Sequence, residues 1–142
     1  MTAKSDLALR GVSAMYVLRR FIGMNQKYVL RDAIYGKEAQ YFVEKLECLA
    51  KLVESMPKTY EQEGKGDDAV VSLHYFYAGM DFFITERDKD NDQHQAYGWS
   101  DVGHGGELRY ISIVDLIANN IELDLHFVPT TLGSIKAKRR EA

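Results

Sequence analysis

The chain has 142 residues, 46% of them hydrophobic and 27% charged, which is the balance of an ordinary soluble globular domain. Cys48 is the single cysteine, so an internal disulfide is excluded and a reducing compartment is favoured. The net charge of -3 conceals an acidic block, residues 65–128, which carries twelve Asp or Glu against four Lys or Arg. A surface of that sign repels nucleic acid and favours basic partners.

The sequence also carries no membrane signal. Its first residues, MTAKSDLALRG, lack the apolar core of a signal peptide. No stretch approaches the ~20 apolar residues of a membrane-spanning helix. We therefore expect a cytoplasmic protein with no membrane partner.

Two helices are predicted in residues 1–56. Ser5 or Asp6 is the candidate N-cap of the first, which should end near residues 23–26. Its apolar positions, at helical spacing, are Leu9, Val12, Met15, Tyr16, Phe21 and Ile22.

The second helix should run from Asp32, as its N-cap, to Met56, because Pro57 disfavours helical geometry in the residue before it. Its apolar line is Tyr35, Ala39, Phe42, Leu46, Leu49, Val53 and Met56. Cys48 should be buried beside this line. The same line could pair with a second copy of the chain, which leaves a homodimer as an alternative to an intramolecular core.

A polar connection, residues 57–68, joins this helical part to a β-rich part over residues 69–135. We do not interpret it as a domain boundary. The apolar stripes of the helices need a matching apolar surface, which the β-rich part offers. We therefore predict a single domain over residues 1–142.

The β-rich part begins with VVSLHYFYAGMDFFITE, residues 70–86, which predicts an antiparallel hairpin turning at Ala78-Gly79. Pairing Tyr77 with Met80 creates one wholly apolar face and one mixed aromatic and polar face. The apolar face consists of Leu73, Tyr75, Phe82 and Ile84. A bulged turn with Gly79 at positive φ is an alternative to the two-residue turn.

The remaining predicted elements follow in chain order. A solvated tip at 86–92 is followed by a strand at 93–100, with a bulge or close approach at Gly98, and by a second strand at 108–111. A helix at 113–118, capped by Ser112, precedes a strand at 121–128. The chain ends in a helical turn, which Thr130 or Thr131 caps and which carries Leu132 and Ile135, and in a frayed basic tail, residues 136–142. The predicted fold is therefore α+β, with two N-terminal helices packed on a four- to five-stranded antiparallel sheet and a short helix before the last strand.

Four stretches of the β-rich part carry a resemblance: LHYFYAGMDFFITERD, QHQAYGWSDVG, ELRYISIVDL and ELDLHFVPTTLGSI. Together, over residues 70–135, they resemble a family of small domains of unknown function from plasmids, phages and integrative elements, including domains associated with large polyvalent proteins. The resemblance implies an accessory protein of a mobile genetic element, and such proteins often act against host defence systems. The family supplies no catalytic residues to carry over.

The acidic block and its aromatic residues predict a partner-binding surface on the outward face of the hairpin. Its residues are Asp81, Phe83, Glu86, Asp88, Asp90, Asp92, Trp99 and Asp101. We expect Trp99 to be an anchor surrounded by negative charge, which suits a basic surface on a host or defence-system protein. The leading hypothesis is a non-enzymatic anti-defence inhibitor, of anti-CRISPR or antirestriction type. The alternative interpretation is a solvated acidic sheet with Trp99 in the core.

Two other function classes are alternatives for this sequence. A metal-dependent enzyme would use His74 and His126 on one outward face with nearby carboxylates, but the sequence has no HxH, HxxxH or Cys/His spacing. A DNA-binding accessory factor would use Arg19, Arg20 and the basic tail, although a short basic terminus more often serves solubility. We assign no catalytic residue, metal or cofactor, and we expect no direct nucleic-acid binding.

Overall fold

A computed structural model describes residues 2–141 and confirms the α+β class. The helices are α1 Ala3–Val17, α2 Met24–Ala33, α3 Ala39–Ser55, α4 Ile113–Ala118 and α5 Leu132–Glu141. The strands are β1 Val70–Val71, β2 Leu73–Tyr77, β3 Met80–Glu86, β4 Ala96–Asp101, β5 Gly106–Ile111, β6 Glu122–Leu123 and β7 Thr130–Thr131. None of the helices in the described part is long and apolar enough to cross a membrane.

The main sheet has five antiparallel strands in the order β5-β4-β3-β2-β6, and β1 pairs separately with β7. The predicted hairpin register is confirmed, with Tyr77 opposite Met80 and Tyr75 opposite Phe82. The turn is the two-residue type, because Ala78 and Gly79 both have positive φ. The short helix α4 precedes β6, as predicted.

Gly98 marks a close approach between β4 and β3, as its position in a strand predicts. A Cβ atom at residue 98 would lie 2.0 Å from the carbonyl oxygen of Phe83. The register between these strands shifts between Ile84 and Glu86, which is a bulge in β3. Residue 98 therefore has to be glycine, because β4 lies very close to the bulged strand β3 at this position.

One face of the sheet packs on the three N-terminal helices. The predicted core residues Leu73, Tyr75 and Ile84 are fully buried there. The Tyr75 hydroxyl donates a hydrogen bond to the carbonyl oxygen of Phe21 at 2.5 Å. Burial raises the pKa of this hydroxyl far above its usual range, so Tyr75 remains a neutral donor at physiological pH.

The predicted first helix is wrong in its end, since α1 stops at Val17, and in most of its buried face, although Phe21 and Ile22 beyond it are buried as predicted. Leu9, Val12 and Tyr16 are exposed, whereas the buried positions of α1 are Ala8, Gly11 and Ala14. A Cβ at Gly11 would lie only 3.0 Å from Cγ2 of Ile34, so small residues allow α1 to approach its neighbours closely. The N-cap is Thr2, whose hydroxyl accepts a hydrogen bond from the amide of Ser5.

The N-terminal part contains three helices where two were predicted. Asp32 lies inside α2 and is not an N-cap, and the second predicted helix begins only at Ala39. Leu30 is the only buried residue of α2, so this helix has no apolar period to reveal it. Helix α3 follows the predicted apolar line and ends before Pro57, but Cys48 is exposed on it and not buried.

Two C-terminal predictions are also wrong. The strand expected over residues 121–128 is limited to Glu122–Leu123, because Asp124 accepts a hydrogen bond from the amide of His126 and turns the chain. The expected helical turn and frayed tail are one ten-residue helix, α5. Thr131 caps it by accepting from the amide of Ser134.

The second face of the sheet, here called the outer face, is covered only in part. Helix α5 lies over β3 and β4 and builds a smaller core of Val71, Phe83, Trp99, Leu132 and Ile135, with Phe127 beside it. Strand β5, at the edge of the sheet, is exposed from Gly106 to Tyr110. The outer face therefore has a closed half and an open half.

Candidate functional site

The surface predicted to bind a partner does not form as expected. Phe83 and Trp99 are buried, with 6% and 8% of their surface exposed, so Trp99 is not an exposed anchor. Glu86 and Asp88 are buried as well, at 4% and 6%. Of the eight predicted residues, Asp90 and Asp92 are exposed, and Asp81 and Asp101 are half-buried.

Asp88 is buried because it organises the tip that was expected to be solvated. Its two carboxylate oxygens accept hydrogen bonds from the amides of Asp90 and Gln95. Gln93, also buried, accepts from the amide of Asp88 through its side-chain oxygen. Asp88 is therefore used inside the turn, whereas Asp90 and Asp92 are exposed as predicted.

Asp81 and Asp101 both form salt bridges with Arg139 of α5. The guanidinium lies 3.1 Å from Asp81 Oδ2 and 2.5 Å from Asp101 Oδ2, above the rings of Phe83 and Trp99. The hydrogen bond from Arg139, with a second from the Gly103 amide, lowers the pKa of the Asp101 carboxyl. One arginine of α5 thus pairs with two acids of the acidic block within one molecule.

His74 extends this arrangement. Its Nδ1 lies 3.0 Å from Asp124 Oδ2 and its Nε2 lies 2.7 Å from Asp81 Oδ1. The imidazole stacks on Phe83 with ring centroids 4.6 Å apart. We call His74, Asp81, Asp101, Asp124 and Arg139 the His74–Arg139 network.

The structure places His74 and His126 in the same cavity, but each imidazole has other hydrogen-bond partners. Both residues line one cavity of about 580 Å³, but His126 Nδ1 lies 3.1 Å from the Tyr41 hydroxyl and both nitrogens of His74 face carboxylates. Within residues 2–141, no group of three or more His, Cys, Asp or Glu side chains is arranged to hold a metal ion.

A different feature is open to ligands. A cavity of about 490 Å³ lies between the polar connection and strands β4 and β5. We call it the tyrosine pocket, and the side chains that define it are Tyr60, Tyr97, Tyr110, Leu108, Glu63 and Glu86. Tyr60 comes from the connection, Tyr97 from β4 and Tyr110 from β5.

The three rings form a corner of hydroxyls and aromatic faces. Tyr97 and Tyr110 meet edge to face with centroids 5.4 Å apart. The Tyr110 hydroxyl donates to the Tyr60 hydroxyl at 3.3 Å. This hydrogen bond, some loss of hydration beside the neighbouring rings and the nearby Glu63 raise the pKa of Tyr110, so its hydroxyl is neutral at physiological pH.

Glu86 builds the pocket from below. Its carboxylate accepts hydrogen bonds from the backbone amides of Tyr60 at 2.6 Å and Gln62 at 3.1 Å. These bonds hold Tyr60 at a φ of 73°, a conformation that disfavours a bulky residue. A strained backbone that presents an exposed side chain is a pattern found at binding sites.

Gln62 fastens the same connection to the sheet. Its side-chain amide donates to the carbonyl oxygens of Val70 and Thr85 and accepts from the amide of Val70. The connection is therefore an ordered wall of the pocket, where the sequence suggested an exposed link. The one signal that could have revealed it is Tyr60, an isolated aromatic residue in a polar segment.

The charge of the tyrosine pocket is of one sign. Glu63 and Glu86 line it, and among residues 2–141 no lysine or arginine does. Aromatic faces attract cations through the ring quadrupole, and a carboxylate adds to that attraction. The pocket is therefore suited to a positively charged group.

Comparisons with protein-family models, with curated proteins and with solved structures found no match to this chain.

Proposed function

We propose that this chain is a non-enzymatic binding protein that receives a lysine or arginine side chain of a basic protein partner in the tyrosine pocket. The observation that carries the proposal is the convergence of three tyrosines and Glu63 on a cavity that no cationic side chain of residues 2–141 lines. A cationic side chain that enters from outside would meet both an aromatic face and a negative charge.

The expected energies suit an anchor residue in a larger interface. A cation over an aromatic face contributes about 0.5–1 kcal/mol when exposed and about 2 kcal/mol when desolvated. Interfaces draw most of their affinity from a few such anchors, enriched in Tyr, Trp and Arg. The cavity of about 490 Å³ has room for a long side chain.

The setting of the proposed partner comes from the resemblance of residues 70–135 to mobile-element domains. On that basis the partner is a host or defence-system protein, and the chain is an inhibitor of anti-CRISPR or antirestriction type. The acidic block agrees with a basic partner, since its net charge attracts one at long range. The proposed contact surface is therefore the tyrosine pocket and not the surface around Trp99 that the sequence predicts.

The test is a binding series with short fluorescent peptides that differ at one central residue: lysine, arginine or glutamine. Fluorescence anisotropy should show binding of the lysine and arginine peptides and at least tenfold weaker binding of the glutamine peptide, which corresponds to about 1.4 kcal/mol. Equal affinity for all three peptides would contradict the proposal.

A matched pair of variants assigns the binding to the pocket. Tyr110→Ala removes one wall of the pocket, whereas Tyr77→Ala removes an equally exposed tyrosine at the hairpin turn. We expect the lysine peptide to bind about tenfold more weakly to Tyr110→Ala. Its affinity for Tyr77→Ala should equal that for the unaltered chain, and a loss in both variants would place the site elsewhere.

A further inference from the structure

A second cavity has the opposite charge. It encloses about 330 Å³ between the end of α1, the end of α3 and the turn that follows β3. Three arginines line it, Arg19, Arg20 and Arg87, together with the amide side chains of Asn91 and Gln93. Glu54 is the single carboxylate among the described residues that line it.

The arginines of this cavity have few partners in the protein. Arg19 donates one hydrogen bond, to the carbonyl oxygen of Tyr16. Within the part of the chain that the structure describes, neither Arg20 nor Arg87 makes a salt bridge, in contrast to Arg10 and Arg139. Charged donors in a shared cavity repel one another unless an anion joins them.

Arg87 provides the second, independent observation. Its Nε is buried and has no hydrogen-bond partner among residues 2–141. A buried polar atom without a partner costs about 1–3 kcal/mol, and more when the group is charged. Native proteins rarely leave such a donor without an acceptor, so Arg87 differs in this from the paired Arg10 and Arg139.

The neighbourhood of the cavity is also positive. The pKa of Lys27 is lowered, first by partial burial and then by the positive charges of Arg20, Arg31 and Arg19. These four cations come from the end of α1 and from α2. Arg19 and Arg20, whose charges contribute to this shift after burial, also line the cavity and favour an anion there.

We infer that this cavity, defined by Arg19, Arg20 and Arg87, binds a phosphate-like oxyanion. Guanidinium groups match the geometry of phosphate oxygens and donate to them in pairs. A volume of about 330 Å³ holds such an anion together with several waters or a small attached organic group. The inference is independent of the proposed function, because the tyrosine pocket shares no lining residue with this cavity.

The experiment titrates the intact protein with inorganic phosphate at constant ionic strength and follows the Nε–Hε signals of the arginines by NMR. The signals of Arg87 and Arg19 should shift and saturate, whereas that of Arg109, an exposed arginine on β5, should not. Equal, unsaturated shifts at all arginines would indicate charge screening alone and would overturn the inference.

Substitutions give the matched control. Arg87→Gln and Arg20→Gln should each weaken phosphate binding about tenfold, the effect of losing one charge-assisted hydrogen bond, and Arg109→Gln should leave it unchanged. Arg20 is exposed, so its variant should fold even if the Arg87 variant does not. Unchanged binding in Arg20→Gln would overturn the inference.

A second arm identifies the source of the anion. A 5′-mononucleotide that binds more tightly than inorganic phosphate would indicate an organic phosphate as the ligand, and equal affinities would indicate the free ion. A nucleoside without phosphate should not bind. Failure of both phosphate probes to bind would overturn the inference.

Discussion

The two halves of the outer face use charged and aromatic residues in opposite ways. In the closed half, the His74–Arg139 network pairs each of its carboxylates with a cation or an imidazole under α5. In the open half, the tyrosine pocket places exposed rings around Glu63, which has no cation beside it in the described lining. A cluster whose charged groups pair with one another stabilises the fold. A cluster whose carboxylate and rings have no cation beside them can bind one from a partner.

Pairing within the closed half removes some acids of the acidic block from the surface, while others, including Asp68, Asp90 and Asp92, stay exposed. Asp81 and Asp101 are matched by Arg139 of α5, and Asp67 by Lys136 of the same helix. Glu86 and Asp88 are consumed by backbone amides. The net charge of a segment therefore overstates the charge that a partner meets, because paired and buried acids are included in the sum.

The largest effect should come from breaking the closed half. Asp81→Ala removes one partner each from His74 and Arg139, and it should lower the free energy of unfolding by about 2 kcal/mol. Urea denaturation measures this change. Asp90→Ala, an exposed acid of the same block, should change stability by less than about 0.5 kcal/mol. Equal losses of stability in Asp81→Ala and Asp90→Ala would show that the His74–Arg139 network stabilises the fold no more than an exposed acid does.

The second-largest effect should come from Glu86, beneath the tyrosine pocket, where a substitution should change both stability and binding. Glu86→Gln replaces one of two acceptor oxygens by a donor, which faces a backbone amide and should cost about 1–2 kcal/mol of unfolding free energy. It should also weaken binding of the lysine peptide, because the Tyr60 turn loosens. The exposed Glu107→Gln serves as the control. A stability loss with unaltered peptide affinity would separate Glu86 from the pocket.

The stability that the Arg139–Asp101 pair contributes is smaller and should depend on pH. Arg139 holds the pKa of Asp101 below the ordinary value, which is about 3.9 for an unfolded chain. The pair therefore stabilises the fold above that value, and the stabilisation is lost as pH falls through the lower, folded pKa. The stability difference between the unaltered chain and Arg139→Gln should shrink between pH 7 and about pH 3, as measured by urea denaturation at each pH. A constant difference would contradict this assignment.

The smallest stability effect should come with a clear change in binding. Tyr60→Asn places a residue that tolerates positive φ at a backbone φ of 73°, so stability should stay equal or rise by up to about 1 kcal/mol. The lysine peptide should nevertheless bind more weakly, because one ring is lost. Thermal denaturation and anisotropy report the two quantities. A variant that is less stable but binds equally well would reverse the roles given to Tyr60.

Local patterns in the sequence predict the local structure well. Alternation of residue type predicts the β2–β3 hairpin with its register, because a slip of one residue would exchange its faces. Ser112 and Asp115 predict the cap of α4, where the Ser112 hydroxyl accepts from the Asp115 amide. The apolar line of α3 and its end before Pro57 are likewise set by neighbours in the chain.

Several of the failures arise from tertiary contacts. Large apolar residues suggest the wrong face of α1, because Ala8, Gly11 and Ala14 are buried for their small size. Arg139 meets Asp81 from 58 positions away, which no local pattern reveals. The tyrosine pocket likewise joins Tyr60 to Tyr110 across 50 positions, so only the folded chain brings them together.

The most direct test of the account is an NMR titration that records the ring signals of Tyr60, Tyr97 and Tyr110. The ligands are Nα-acetyl-lysine amide, its Nε-trimethylammonium derivative and Nα-acetyl-norleucine amide, here called norleucine amide, which has a similar stem without charge. We predict that the two cationic ligands shift these three rings and that norleucine amide does not, because the attraction is between cation and ring. Equal shifts with norleucine amide, or no shift with either cation, would contradict the central claim.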